Sequence, residues 1–354
     1  MRMITLPGLI DPHVHLRTPG QEHKEDFYTG TSSALAGGFT MVVDMPNNKI
    51  PITTERTLVE KIKIAEKSVL CDTGFYFGSL GDNLDEFKKV FRKVIGLKLY
   101  LNETTGNFLI DKKTLAKIFK AWPVNAGPIL VHAEDDAIES VIREAHDRKR
   151  RVHFCHISIK SDLEQIIRAK KNLLGLSCGV TPHHLFLTQD DAKRLGPYGR
   201  MKPFLKSQKD LDFFWDNLKN IDVIESDHAP HTKEEKESKE APYGVPGLET
   251  ALPLLLNAVN MKRLEISDIV RLCHDNPRRI FKLPQQESIV DVDMDEKYMI
   301  SNDDLKTKSG WSPFDGAQMQ GKIKRVRIRN NVVFIEGKII AQKGDGNIIR
   351  RVEI

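Results

Sequence analysis

The stretch LIDPHVHLR at residues 9–17 sets Asp11, His13, His15 and Arg17 on alternate positions behind an apolar run. In a β-strand, alternate side chains share a face, so the four groups would converge. Burying them unpaired costs on the order of several kcal/mol, and something must satisfy that face. Further along, VHAE supplies His132, FCH supplies His156, and SDHAPH supplies Asp227, His228 and His231, each at the end of an apolar run. Imidazole and carboxylate are ordinary zinc ligands. A lone strand-end histidine has an ordinary structural explanation as a hydrogen-bonded residue. A His-x-His pair, two further single histidines and a strand-end aspartate repeat the coincidence four times, and metal binding explains all of them together. Asn47, in MPNN, follows the second apolar run.

Lys98 is the hardest residue to place, because GLKLYL puts an ammonium inside an apolar strand. One reading is a salt bridge to Glu103 or Asp11. The other is reaction of the amine with CO₂ to give a carbamate, which turns a cation into a carboxylate able to bridge two metal ions.

The elements that would carry these residues are eight near-continuous apolar runs, the pattern of strands buried on both faces. They are LPGLIDPHVH (6–15), GFTMVVDMP (38–46), DTGFYFGSL (72–80), VIGLKLYL (94–101), PILVHAE (128–134), RVHFCHIS (151–158), LLGLSCGVTP (173–182) and IDVIESDHAP (221–230). Between them, segments such as 54–67, 111–122 and 161–171 space apolar residues as amphipathic helices do. Eight such units predict an α/β fold, a (β/α)8 TIM-type barrel whose active site lies at the C-terminal ends of the strands. After residue 285, KIKRVRIRNNVVFIEGKII predicts a hairpin turning at Asn330–Asn331. The expected division is a metal-dependent hydrolase barrel over 6–284, with 1–5 and 285–354 forming a small β appendage.

Of 354 residues, 29% are charged and 40% hydrophobic, with a net charge of only +5. No apolar run approaches the roughly 20 residues of a membrane span, and the start lacks a signal-peptide pattern. Four scattered cysteines read as free thiols of a cytoplasmic protein. The basic clusters at 147–153 and 322–330 suit a helix end and a half-exposed strand, so no nucleic-acid partner is expected. TKEEKESKE at 232–240 mixes signs and reads as a solvated excursion.

LPGLIDPHVHLR, MPN, GLKLYLNET, VHAE, FCH, TPHHLFL, SDHAPH, PGLET and NPRRIF resemble the dihydroorotases of the amidohydrolase superfamily, over about residues 6–345. The motifs are most similar to those of the dihydroorotase domain of the animal multifunctional pyrimidine-synthesis protein. The resemblance implies two Zn²⁺ ions, one held by His13, His15 and Asp227 and the other by His132 and His156. N6-carboxylysine at Lys98 and a hydroxide would bridge them. It implies reversible cyclisation of N-carbamoyl-L-aspartate to (S)-dihydroorotate, the third step of pyrimidine biosynthesis, with Asp227 as general acid and base. His15, Arg17, Asn47, Thr104, His231, Tyr243 and Gly244 would contact substrate, Arg17 pairing its carboxylate. A homodimer and a complex with aspartate transcarbamoylase are implied as partners.

The chain departs from the animal pattern in three places. A third zinc site there uses a cysteine, here Cys155, and a glutamate whose position is Gly179, so a third zinc in that form is not implied. Thr104–Thr105 stands where the animal sequence has Thr-Phe, and Lys202 where the family has Arg or Asn. Two rival readings share the scaffold: a hydantoinase or allantoinase, and a non-catalytic dihydroorotase-like scaffold for other pyrimidine enzymes. Arg17, Asn47 and His231 suit a ring bearing a carboxylate and speak against the first. Retention of all six metal ligands speaks against the second.

Overall fold

The computed structural model describes residues 2–103 and 108–352. Its thirteen strands among the described residues are β1 (Met3–Pro7), β2 (Leu9–Val14), β3 (Phe39–Asp44), β4 (Asp72–Gly78), β5 (Gly96–Tyr100), β6 (Ile129–His132), β7 (Val152–Phe154), β8 (Leu176–Val180), β9 (Val223–Ile224), β10 (Ser288–Met299), β11 (Gln318–Ile328), β12 (Asn331–Ile335) and β13 (Lys338–Ile339). Strands β2 to β9 are parallel and lie side by side in chain order. A single parallel bridge, Val14 to His228, joins the first of them to the segment after the last, and His15 N donates to His228 O at 2.8 Å there. The eight strands therefore form the expected barrel.

Alternation decides what the barrel encloses. Leu97 and Leu99 of β5 and Ile129 and Val131 of β6 join the main apolar core against the helices. Lys98, Tyr100, Leu130 and His132 are left on the opposite face, and the register sets Lys98 beside Leu130 and Tyr100 beside His132. The helices that cover the outside start where local chemistry caps them. Thr54 and Thr57 form a capping box at Glu55–Ala65, and the Asp111 side chain accepts from Thr114 N at the start of Lys112–Ala121.

The first predicted strand is two strands in two sheets. β1 pairs with β10, β2 enters the barrel, and Gly8 makes the crossing. A Cβ at Gly8 would lie 2.2 Å from both Ser288 Oγ and Thr40 Oγ1, so only glycine lets the three segments meet. The second sheet, β1-β10-β11-β12-β13, is antiparallel throughout. Its hairpin turns one residue earlier than predicted. Ile328 pairs with Asn331, and Arg329 and Asn330 (φ 49° and 66°) form the two-residue turn that needs positive φ at both centres.

The 232–240 segment also departs from expectation. Thr232 and Glu235 form a capping box that starts the short helix Lys233–Lys236, and Lys236 is fully buried. Sign alternation read as solvation because periodicity gives no warning that one lysine of the run turns inward.

Helix Leu248–Asn260 seals the barrel against the second sheet. Leu252, Val290 and Ile323 crowd around Gly38, the turn residue that leads into β3. Truncating the fully buried Leu252 opens a cavity at that junction. Leu252→Ala should lower unfolding free energy by about 2–5 kcal/mol in urea titration, with the bound-metal content of the folded fraction unchanged.

Candidate active site

His13, His15, His132, His156 and Asp227 line one cavity at the C-terminal ends of the strands, together with Arg17, Asn47, Tyr100, Lys202, Ala229, Tyr243 and Gly244. His15 and Arg17 lie beyond the end of β2, so strand alternation does not carry them there as the spacing suggested. Arg17 reaches the cavity through a left-handed backbone (φ 61°); His156 (φ 37°) and Asp227 (φ 45°) do the same. Such conformations cost about 1–3 kcal/mol each and persist where surrounding structure over-determines them.

The imidazoles are prepared as ligands. Asn47 Oδ1 lies 2.8 Å from His15 Nδ1, which places the proton on Nδ1 and leaves the Nε2 lone pair facing Asp227 Oδ1 at 3.1 Å. His13 Nε2 faces the same oxygen at 3.3 Å. His132 Nδ1 and His156 Nε2 lie 3.2 Å apart. His13 Nδ1, His132 Nε2 and His156 Nδ1 are buried without a hydrogen-bond partner. Burial, followed by the Lys98 charge, draws His13 down to about 4, and burial holds His15, His132 and His156 well below the usual histidine range. Neutral imidazoles whose Nε2 atoms face one carboxylate oxygen, as in His13 and His15, are a donor set that fits a metal ion. His13, His15 and Asp227 bring one ligand atom each within 4.8 Å of one another.

Lys98 is fully buried. Its Nζ contacts Cys155 Sγ at 3.1 Å and lies 5.0 Å from the Tyr100 ring centroid. Neither salt bridge weighed from the sequence forms: Glu103 pairs with Lys202 at 2.9 Å, and Asp11 accepts from His13 N and Ser226 N. No carboxylate pairs with Lys98 among the described residues, the environment a carbamate would relieve.

The substrate side is more layered than the sequence suggested. Arg17 Nε donates to Pro230 O at 3.0 Å, and burial draws its guanidinium down to about 10. His231 does not line the cavity but stands behind Arg17. Its Nε2 faces Tyr243 O at 3.0 Å and Arg17 Nη2 at 3.1 Å, while Lys24 Nζ lies 3.2 Å from Nδ1. Glu235 Oε2 also faces Nδ1 at 3.3 Å, so each ring nitrogen has one acceptor and one donor against it. Burial, then Arg17, lowers His231 to about 3, keeping it neutral. Lys202 lies over the Tyr243 ring at 4.6 Å. Thr104 and Thr105 fall outside the described residues.

Glu225 was not singled out from the sequence, although IESD sets it two positions before Asp227. It is completely buried: Oε1 accepts from His156 N at 2.6 Å, and Oε2 faces His153 Nε2 at 3.2 Å and His13 Nδ1 at 3.7 Å. Burial works to raise its pKa, but His153 and His13 outweigh it and hold the carboxylate ionised. A Cβ at Gly179 would lie 2.5 Å from Glu225 Oε1, so this carboxylate fills the volume a side chain at 179 would need. His153, Cys155 and Glu225 form a second group of closely spaced donors beneath the first.

Residues 4–176 match the model of the amidohydrolase family. The chain is 42% identical over 352 residues to the multifunctional protein CAD of Squalus acanthias, covering 99% of this chain and 16% of that protein. The dihydroorotase of Pyrococcus horikoshii is 36% identical over 370 residues, with 98% of this chain and 85% of that one covered. The chain thus spans about a sixth of the multifunctional relative and most of the single-activity one. Among solved structures, the L-hydantoinase of Arthrobacter aurescens superposes with a TM-score of 0.94 at 26% identity, over 98% of this chain and 89% of that one. The inactive dihydroorotase-like domain of the Chaetomium thermophilum CAD-like multifunctional protein gives 0.83 at 28% identity, over 98% and 99%.

Glu225→Ala leaves His156 N and His153 Nε2 without their acceptor in a fully buried site. The substitution should cost about 3–5 kcal/mol of unfolding free energy, measured by urea titration of the metal-free protein so that any change in metal binding is kept apart.

Proposed function

The chain belongs to the dihydroorotase family, and from that premise we propose that it interconverts N-carbamoyl-L-aspartate and (S)-dihydroorotate with two Zn²⁺ ions. The observation that carries the reading is one cavity in which His13 and His15 face Asp227 and His132 faces His156, beside a buried Lys98 that forms no ion pair with a carboxylate among the described residues. His13, His15 and Asp227 would hold one ion, and His132 and His156 the other. Lys98, its ammonium carboxylated by CO₂ with release of two protons, would be ligand to both. When bound, such ions lower the pKa of water towards about 7 and polarise a carbonyl.

The chain's own groups do the rest. In the hydrolytic direction, water adds to the ring amide carbon, the C–N bond breaks and the nitrogen leaves with a proton. Burial raises the Asp227 carboxyl above its ordinary value, which suits it to take the proton from water and return it to the departing nitrogen. Arg17, Asn47, Thr104, Tyr243 and Gly244 would orient the ring, with the Arg17 guanidinium on the substrate carboxylate. His231 would act through Arg17 and Tyr243 rather than by touching substrate. A third zinc is left out of the proposal, since Glu225 already occupies the space beside Gly179.

The hydantoinase reading has a close structural relative in its favour, but a hydantoin with an apolar substituent gives Arg17 no partner. The scaffold reading has the inactive Chaetomium domain as its precedent and meets a complete ligand set here. The homodimer and the transcarbamoylase complex are carried forward as proposals from the resemblance. The cytoplasmic location rests on four free cysteines, all buried, and on the absence among the described residues of any helix long and apolar enough to cross a membrane.

Purified protein should hydrolyse dihydroorotate, lose turnover on chelation and regain it with zinc in bicarbonate buffer. Inactivity with two zinc ions bound would overturn the assignment. Arg17→Met should reduce kcat/KM for dihydroorotate about 10- to 100-fold, and steady-state kinetics showing no loss would remove the carboxylate clamp.

A further inference from the structure

We propose that Lys236 and Trp311 are positioning residues that hold the substrate-facing wall of the cavity, a role that rests on the dihydroorotase reading. Lys236 is fully buried yet forms no ion pair with any carboxylate among the described residues. Its three donors go to backbone carbonyls instead: Arg200 O at 3.0 Å, Pro242 O at 2.9 Å and Gly244 O at 3.1 Å. An ammonium carries three N–H groups, so this tripod uses them all.

The carbonyls belong to two separate segments. The first leads to Lys202 and the second contains Tyr243 and Gly244, all three of which face the cavity. Gly244 N also donates to Arg200 O at 3.0 Å, which draws the segments together around the ammonium. A buried cation without a counter-ion is costly, and burial followed by the nearby Arg200 charge pulls this one down to about 7. An apolar side chain would fill the same space more cheaply but could not fix three carbonyls.

Trp311 comes from the segment between β10 and β11, outside the barrel. It is 2% exposed, its Nε1 donates to His231 O at 2.7 Å, and its ring centroid lies 5.5 Å from Lys236 Nζ. One indole thus packs against the tripod and also fixes the backbone of the residue behind Arg17.

The test is steady-state kinetics on the zinc-loaded full chain carrying Lys236→Met or Trp311→Phe, with bound metal measured in parallel. The expected result is a KM for dihydroorotate raised about tenfold in the first and about threefold in the second, with kcat within twofold and metal content unaltered. Unchanged KM in both variants overturns the inference, as does a fall in kcat and metal content at constant KM. Hydrogen exchange on the wild type gives a second measurement that needs no variant. Dihydroorotate should slow amide exchange in 198–204 and 240–246 together, and slowing in one segment alone also overturns the inference. A wild type that turns over no dihydroorotate defeats the functional reading. Wild-type turnover beside variants of unaltered KM defeats this inference only.

Discussion

Polar side chains that face into a closed barrel have nowhere else to go. Helices cover the outside of the eight strands, so whatever points inward must be satisfied by its neighbours or by something captured from solution. Lower in the barrel two carboxylates find their donors: Asp11 takes two backbone amides, and Glu225 takes a third beside His153. At the rim, His13 Nε2 and His15 Nε2 face one Asp227 oxygen, His132 Nδ1 faces His156 Nε2, and the Lys98 ammonium contacts Cys155 Sγ in place of a carboxylate. The lower layer thus supports a rim where ring nitrogens crowd one carboxylate, a donor set that fits a metal ion.

The second dependence runs outward from the rim. Two of the cavity histidines are held by neighbours, as Asn47 sets the proton on His15 and Glu225 anchors the backbone at His156. On the opposite wall the same layering recurs, where Lys24 and Tyr243 contact His231 at its two ring nitrogens. Lys24 and Glu235 also pair at 3.1 Å, tying the loop after β2 to the one after β9.

Much of this was legible in the sequence because period and type agree there. Eight apolar runs gave eight barrel strands, and His13, His15, Arg17, Asn47, His132, His156 and Asp227 met in one cavity, while Lys98, His228 and His231 lie outside its lining. What the sequence hid was partnership. Nothing in TKEEKESKE distinguishes Lys236 from its exposed neighbours, because its burial depends on carbonyls at 200, 242 and 244. His231 read as a substrate contact because it shares a motif with Asp227, whereas distance sets it one layer back. Glu225 stayed unnoticed because a lone glutamate in a strand has no spacing signature. Only the space left by Gly179 gives it meaning.

The barrel's first and last strands meet at a single bridge between Val14 and His228, and that seam is braced from far along the chain. Glu25 lies against His228 Nε2 at 3.3 Å and takes hydrogen bonds from Thr307 Oγ1 and Lys308 N, while β1 completes its sheet only by pairing with β10. A ribosome reads these parts in an unhelpful order. His13 and His15 are translated some three hundred codons before Thr307 and Lys308, which brace the seam beside them. Synthesis thus separates the two histidines from the segments that brace their strand, and the seam gains its full support only when residues 307 and 308 reach Glu25.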